Sequence, residues 1–172
     1  MIRAKKSLGQ NFLVDKNIID KIINIILITD NEILEVGPGT GNLTKEILKK
    51  NPSKMYLIEK DTLLAESLAE LIDNRVKIFN EDVLKFNENS LSKNKIKVFG
   101  NLPYNISTEI LSNWITNLKD ECWLTDLVLM FQKEVADRII AQSNTYAYGR
   151  LSILANWRLN IKKICDISPE SF

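Results

Sequence analysis

The reactive and ligand-binding residue types of this chain gather in a few short stretches. Asn101-Leu102-Pro103-Tyr104 sets an amide, backbone carbonyls and an aromatic ring directly after the apolar run Ile96-Lys97-Val98-Phe99-Gly100. Pro103 fixes its own φ and biases Leu102 away from the helical region, so two carbonyls and a ring face can be held at a defined angle. Asn and Pro also serve as plain punctuation between strand and helix. A second stretch, Gly37-Pro38-Gly39-Thr40-Gly41, follows Ile33-Leu34-Glu35-Val36. Glycines there let the backbone approach a ligand without Cβ clashes. Glu59 and Asp82 close two further apolar runs. A carboxylate at the first of these places can accept both hydroxyls of a ribose. Up to Glu59 the pattern means a nucleoside-like cofactor, with NAD and S-adenosylmethionine in competition. The G-x-G-x-G spacing departs from the G-x-G-x-x-G of dinucleotide folds. Asp82, placed to accept from an adenine amine, tips the balance towards S-adenosylmethionine.

That cofactor gives the Asn-Pro-Tyr turn a chemistry. An adenine exocyclic amine is a poor nucleophile because its lone pair is delocalised into the ring. The Asn101 side-chain oxygen and the Leu102 carbonyl can take its hydrogens, and Tyr104 can stack on the flipped base. In-line positioning against a sulfonium methyl supplies much of the acceleration. No strong general base is needed, so the complete absence of His is compatible with catalysis.

The elements that must position these groups alternate. Asp15 is an N-cap for a helix carrying Ile18, Ile19, Ile22, Ile23 and Ile26. Strands are expected at 33–36, 55–58, 76–79, 96–100 and 124–131, with a last one at 161–167. Helices follow the glycine loop (Leu43, Ile47, Leu48 inward), Asp61 (Leu64, Leu68, Leu71, Ile72), the Asn-Pro-Tyr turn, Gln132 and Arg150. Residues 84–95 read as a polar loop. This alternation predicts an α/β fold: a Rossmann-like, mostly parallel, doubly wound sheet with helices on both faces. Ligands in such sheets bind at the carboxyl ends of the strands, where all four stretches fall.

Composition bounds the partners. The 172 residues suit one domain, and a net charge of +1 sets up no global basic field for nucleic acid. Any RNA must be drawn by a segment beyond these residues or by local patches: Arg3, Lys5 and Lys6, then Lys93, Lys95 and Lys97, then Lys162 and Lys163. Two distant cysteines and no His exclude the usual metal spacings and thiol–imidazole catalysis. No run is long and apolar enough to span a bilayer, and a cytoplasmic location is expected.

Five motifs carry a family resemblance: Lys6-Ser7-Leu8-Gly9-Gln10-Asn11-Phe12-Leu13, Glu35-Val36-Gly37-Pro38-Gly39-Thr40-Gly41, Asn101-Leu102-Pro103-Tyr104-Asn105-Ile106-Ser107-Thr108, Gln132-Lys133-Glu134-Val135-Ala136 and Tyr148-Gly149-Arg150-Leu151-Ser152. Together they resemble the ribosomal RNA adenine N6,N6-dimethyltransferases. The resemblance implies S-adenosylmethionine-dependent dimethylation of two adjacent adenosines near the 3′ end of small-subunit rRNA, by a monomer acting on a pre-ribosomal particle without metal or membrane. It implies that Asn11 and Leu13 close over the cofactor, that Gly37, Glu59, Asp82 and Asn101 contact it, and that Glu35 and Gly39 complete that loop. It casts Asn101, Leu102, Pro103 and Tyr104 as the catalytic turn, with Phe172 on the far face of the target base. Ser168-Pro169-Glu170-Ser171-Phe172 resembles the start of a motif that continues F-x-P-x-P. Residues 1–172 are therefore expected to be a catalytic domain incomplete at its carboxyl end, without the helical RNA-binding domain. The competing readings are a large-subunit rRNA adenine methyltransferase of the macrolide-resistance type, a non-catalytic rRNA-binding assembly factor, and an NAD-dependent oxidoreductase.

Overall fold

Because side chains alternate along a strand, a sheet covered on both faces needs strands that are apolar at every position. The computed structural model, which describes residues 10–71, 73–118 and 122–172, has a sheet covered on both faces, with strands that are largely apolar. Strands β1 (Glu32–Val36), β2 (Lys54–Ile58), β3 (Val76–Phe79), β4 (Ile96–Asn101) and β5 (Leu124–Met130) form a parallel sheet in the order β3-β2-β1-β4-β5. This is the Rossmann-like, doubly wound order. The chain winds outward from β1 to β3, then returns to the other side of β1, which makes the β1/β4 border the topological switch point. Val36 is level with Ile58 and with Gly100, so the loops leaving β1, β2 and β4 emerge side by side.

One face of the sheet presents Ile33, Met55, Leu57 and Phe99 to helices α1 (Lys16–Ile23), α2 (Asn42–Lys49) and α3 (Thr62–Ala69). The other presents Leu34, Val36, Tyr56, Ile58 and Val98 to α4 (Ser107–Asn117) and to Trp123. Helices α5 (Lys133–Ile140) and α6 (Arg150–Arg158) pack over α4 through Leu111, Ile115, Ile139 and Leu151. The Asp15 and Asp61 carboxylates cap α1 and α3 by accepting backbone N–H bonds. No described helix is long and apolar enough to cross a membrane.

Several expectations need correction. Helix α1 ends with Asn24 as its C-cap and α3 with Glu70, so Ile26 and Leu71 lie beyond them. Strand β5 ends at Met130, so Phe131 lies beyond it. Strand β4 runs one residue further than its apolar stretch and takes in Asn101. Residues 161–167 form no strand. Ile161 packs into the α4–α6 cluster and Ile167 into the α1–α3 cluster, which lie on opposite faces. The segment therefore crosses from one face to the other instead of running along β5, and no ladder forms. Arg3, Lys5 and Lys6 of the amino-terminal arm that runs to Val14, and Ile72, expected on the inward face of the helix after Asp61, lie outside the described residues.

Candidate functional site

The loops at the carboxyl edge enclose a cleft of about 130 Å³. Its walls include Gly37 and Gly39 after β1, Glu59 and Lys60 after β2, Asp82 after β3, and Asn101 at the end of β4 with Leu102 to Ile106 after it. Gln10, Asn11 and Phe12 form its amino-terminal side.

The turn after β4 is shaped by packing. A Cβ on Gly100 would meet the Leu102 side chain at 2.8 Å and Leu129 at 3.2 Å, so a bare backbone there lets Leu102 fold back into the core. Leu102 is 1% exposed and anchors the turn beneath Ile110 and Trp114. The turn's own hydrogen bonds end on Pro103, whose carbonyl accepts from the Ile106 N–H, and on Tyr104, whose carbonyl accepts from the Ser107 hydroxyl. The Asn101 Nδ2 donates to the Asn11 carbonyl at 2.6 Å. With the nitrogen side of the amide engaged, Oδ1 is its remaining acceptor.

Gly39 adopts φ +58°, and a Cβ there would meet the Phe12 ring at 2.7 Å. This close approach seats the aromatic ring of the arm on the glycine loop, and only glycine tolerates both the contact and the backbone angle. Glu59 is 6% exposed. One of its oxygens accepts from the Gly39 N–H at 3.1 Å and the other from the Asp61 N–H at 2.8 Å. Burial pushes the carboxyl above its ordinary range, and the Asp61 and Gly39 amides oppose this in part. Asp82 caps a 3-10 turn (Val83–Lys85) by accepting from the Leu84 N–H. Its other oxygen accepts from Lys60 at 2.8 Å, and that ammonium holds the Asp82 carboxyl below its usual range.

Three expected site residues lie elsewhere. The Leu13 side chain is 5% exposed and belongs to the α1–α3 core, while its carbonyl accepts from the Asn42 amide at 2.9 Å. Glu35 is 2% exposed and accepts from the Thr44 hydroxyl at 2.7 Å, so it ties β1 to α2 beneath the cleft without lining it. Phe172 packs against the α1–α3 core and is not brought to Tyr104. The Ser171 carbonyl accepts the N–H bonds of Val14 and Asp15 at 2.8 and 3.1 Å, which staples the tail to the start of α1.

Phe12 and Lys60 also line the cleft, beyond the residues expected there. The signal for Phe12 is an aromatic ring beside Asn11, and that for Lys60 is a cation beside Glu59. The buried, backbone-anchored carboxylate and the glycine cradle fit a nucleoside carrying vicinal hydroxyls. Among the described residues no group of His, Cys, Asp and Glu is arranged to hold a metal.

Comparison with known proteins is consistent with this geometry. A family model described as ribosomal RNA adenine dimethylase matches residues 1–172. The chain is 60% identical over 171 residues to ribosomal RNA small subunit methyltransferase A of Pelagibacter ubique, matching 99% of this chain and 65% of that relative's length. Among solved structures it resembles a dimethyladenosine transferase from Plasmodium falciparum, with TM-score 0.82 and 29% identity over 94% of this chain and 58% of that one. It also resembles the 23S rRNA methyltransferase ErmE, with TM-score 0.66 and 27% identity over 84% of this chain and 55% of that one.

Proposed function

The chain belongs to the ribosomal RNA adenine dimethylase family, and from that premise we propose that residues 1–172 are the methyltransferase unit of an enzyme that dimethylates the exocyclic amines of two adjacent adenosines near the 3′ end of small-subunit rRNA. The observation that carries the proposal is the cleft itself, in which the Asn101–Tyr104 turn faces the glycine loop, Glu59 and Asp82. S-adenosylmethionine, when bound, supplies an electrophilic methyl. Glu59 and the Gly37–Gly39 backbone hold its nucleoside, and Asp82 accepts from its adenine amine. The Asn101 Oδ1 and the Leu102 carbonyl accept the two hydrogens of the target amine and turn its lone pair towards the methyl. Tyr104 stacks on the target base. The proton lost on transfer comes from a cationic product, so water suffices to take it.

The small-subunit reading is favoured over the large-subunit one by the relative of 60% identity, named a small subunit methyltransferase, and by the higher structural likeness to the dimethyladenosine transferase than to ErmE. Incubation with labelled S-adenosylmethionine and unmethylated small-subunit particles tests it. We expect N6,N6-dimethyladenosine. Asn101→Ala is expected to lower kcat about 10²–10³-fold, the scale of losing one preorganised polar group at the reacting centre, with S-adenosylmethionine affinity changed far less. Cofactor binding without any methyl transfer to the particles would overturn the assignment.

A further inference from the structure

The cleft leaves one conspicuous surface without a role. Between Arg138 and Cys165 the sequence carries Arg138, Arg150, Arg158, Lys162 and Lys163 and no carboxylate, in a chain whose net charge is only +1. All five cations are exposed. Among the described residues, Lys163 alone of the five is in an ion pair, with Asp166 at 2.8 Å. The other basic clusters offer less. Lys97 is half-buried and lies 3.7 Å from Asp126, and Lys93 lines a depression at the opposite, amino edge of the sheet.

Helix α6 organises this surface. Leu151, Ser152 and Ala155 are buried on the side facing α4 and α5. Arg150, Ile153 and Trp157 fall at i, i+3 and i+7 on the outward side, a ridge of roughly 10 Å at 1.5 Å per residue. Trp157 is 62% exposed, whereas Trp114 and Trp123 are 4% and 8% exposed. The Arg158 guanidinium lies over the Trp157 ring at 4.3 Å from its centroid. The loop entering α6 adds Tyr146 and Tyr148, both exposed. No residue of α6 lines the cleft.

We propose that the outer face of α6, with the loop before it, is a second RNA-docking surface. It takes unpaired bases on Trp157 and Tyr148 and backbone phosphates on Arg150, Arg158 and Lys162. Protein interfaces gather apolar residues into a core with the polar ones at the rim. Here an exposed indole with a guanidinium on its face shares a helix with Arg150, next to a loop with two exposed tyrosines and with no carboxylate in the stretch, which is the chemistry that holds single-stranded nucleic acid. A flat cation lying on an exposed indole extends the stacking platform instead of closing it. The surface rests on the proposed function only in taking RNA as the substrate, and its purpose is to hold RNA outside the target nucleotides.

Trp157 is its own reporter, because the other two tryptophans are buried. The 172-residue chain is titrated with a labelled RNA hairpin bearing an unpaired loop and with a blunt RNA duplex of equal length. Tryptophan emission and anisotropy are read over a range of salt concentrations. The hairpin is expected to quench Trp157 and to bind more tightly than the duplex. Trp157→Ala should weaken hairpin binding about tenfold, within the range measured for stacked bases, while Trp157→Phe keeps a ring and stays within about twofold. Arg150→Glu with Arg158→Glu should flatten the dependence of log Kd on log salt by about 0.7 for each phosphate no longer neutralised. S-adenosylmethionine affinity, measured by calorimetry, should be the same in every variant. Unchanged hairpin affinity and salt slope across these variants would overturn the proposal. So would a loss of self-association in sedimentation without a loss of RNA binding, which would assign the face to a second copy. Failure of the unsubstituted chain to bind S-adenosylmethionine would instead count against the methyltransferase reading and leave the RNA titration interpretable.

Discussion

Glu32 and Glu35 stand three residues apart on β1, at opposite edges of one sheet, and their carboxyls meet opposite fates. At the amino edge Glu32 accepts from the Tyr56 hydroxyl at 2.9 Å and from the Asn94 amide at 2.7 Å. Burial alone would raise its pKa, but the side-chain donors of Asn94, Ser92 and Tyr56 outweigh burial and hold it below its ordinary value. Burial and the hydrogen bond to Glu32 push the Tyr56 hydroxyl up to about 12. At the carboxyl edge burial prevails. Glu35 is pushed up to about 8, opposed only by the Thr44 hydroxyl and driven further by the neighbouring charge of Glu59. Glu59 is raised as well, and its donors are backbone amides of Gly39 and Asp61.

The difference lies in what each loop commits to the carboxylate. The loop at 89–94 folds back and gives side chains to Glu32, which closes the network. The glycine and β2 loops give only backbone N–H groups, which orient Glu59 and leave acceptor capacity towards the cleft. Each Glu59 oxygen already accepts one backbone N–H, so the carboxylate is held in place, and the remaining lone pairs can accept from the hydroxyls of a ligand.

This contrast can be broken or sharpened. The largest effect is expected for Glu59→Gln. S-adenosylmethionine affinity should fall roughly 10–100-fold, the size of a hydrogen bond to a charged group, as read by calorimetry. An unchanged affinity would erase the distinction between the edges. Tyr56→Phe should lower stability by about 1–2 kcal/mol, because it removes a donor from a buried carboxylate. Urea unfolding checks this, and cofactor affinity should not move. A further test concerns pH. A carboxyl whose folded pKa is raised contributes stability that is fully present below its unfolded value of 4.5 and is lost as pH rises through about 8. Glu35→Gln removes that linkage, so across this window the urea midpoint of the variant should decline less steeply than that of the unsubstituted chain. Parallel profiles would mean that Glu35 is ionised in the fold.

Much of the architecture is legible from local pattern. Five apolar runs become five parallel strands, Asp15 and Asp61 cap the helices they precede, and Glu59, Asp82 and Asn101 come together at one edge. Their periodicity and punctuation are properties of a few consecutive residues, and a right-handed alternating chain leaves few other ways to bury them. The site residues that fall elsewhere are placed by burial and by contacts outside their own motifs. Glu35 sits in the glycine-loop motif, yet alternation along β1 turns it to the α2 face and away from the cleft. Leu13 belongs to the arm, yet its side chain enters the core while Phe12 covers Gly39.

The Asn101–Tyr104 turn shows the same division. Residue types alone determine that it offers an amide, two carbonyls and a ring at the end of a strand. Which side of the Asn101 amide remains free is decided by the Asn11 carbonyl, 90 residues away in sequence. The family resemblance assigns the opposite face of the target base to Phe172, but the bonds from Val14 and Asp15 to Ser171 draw that residue to α1. Such contacts depend on how separately folded loops meet once the sheet has set their spacing, and no pattern within either loop encodes the meeting.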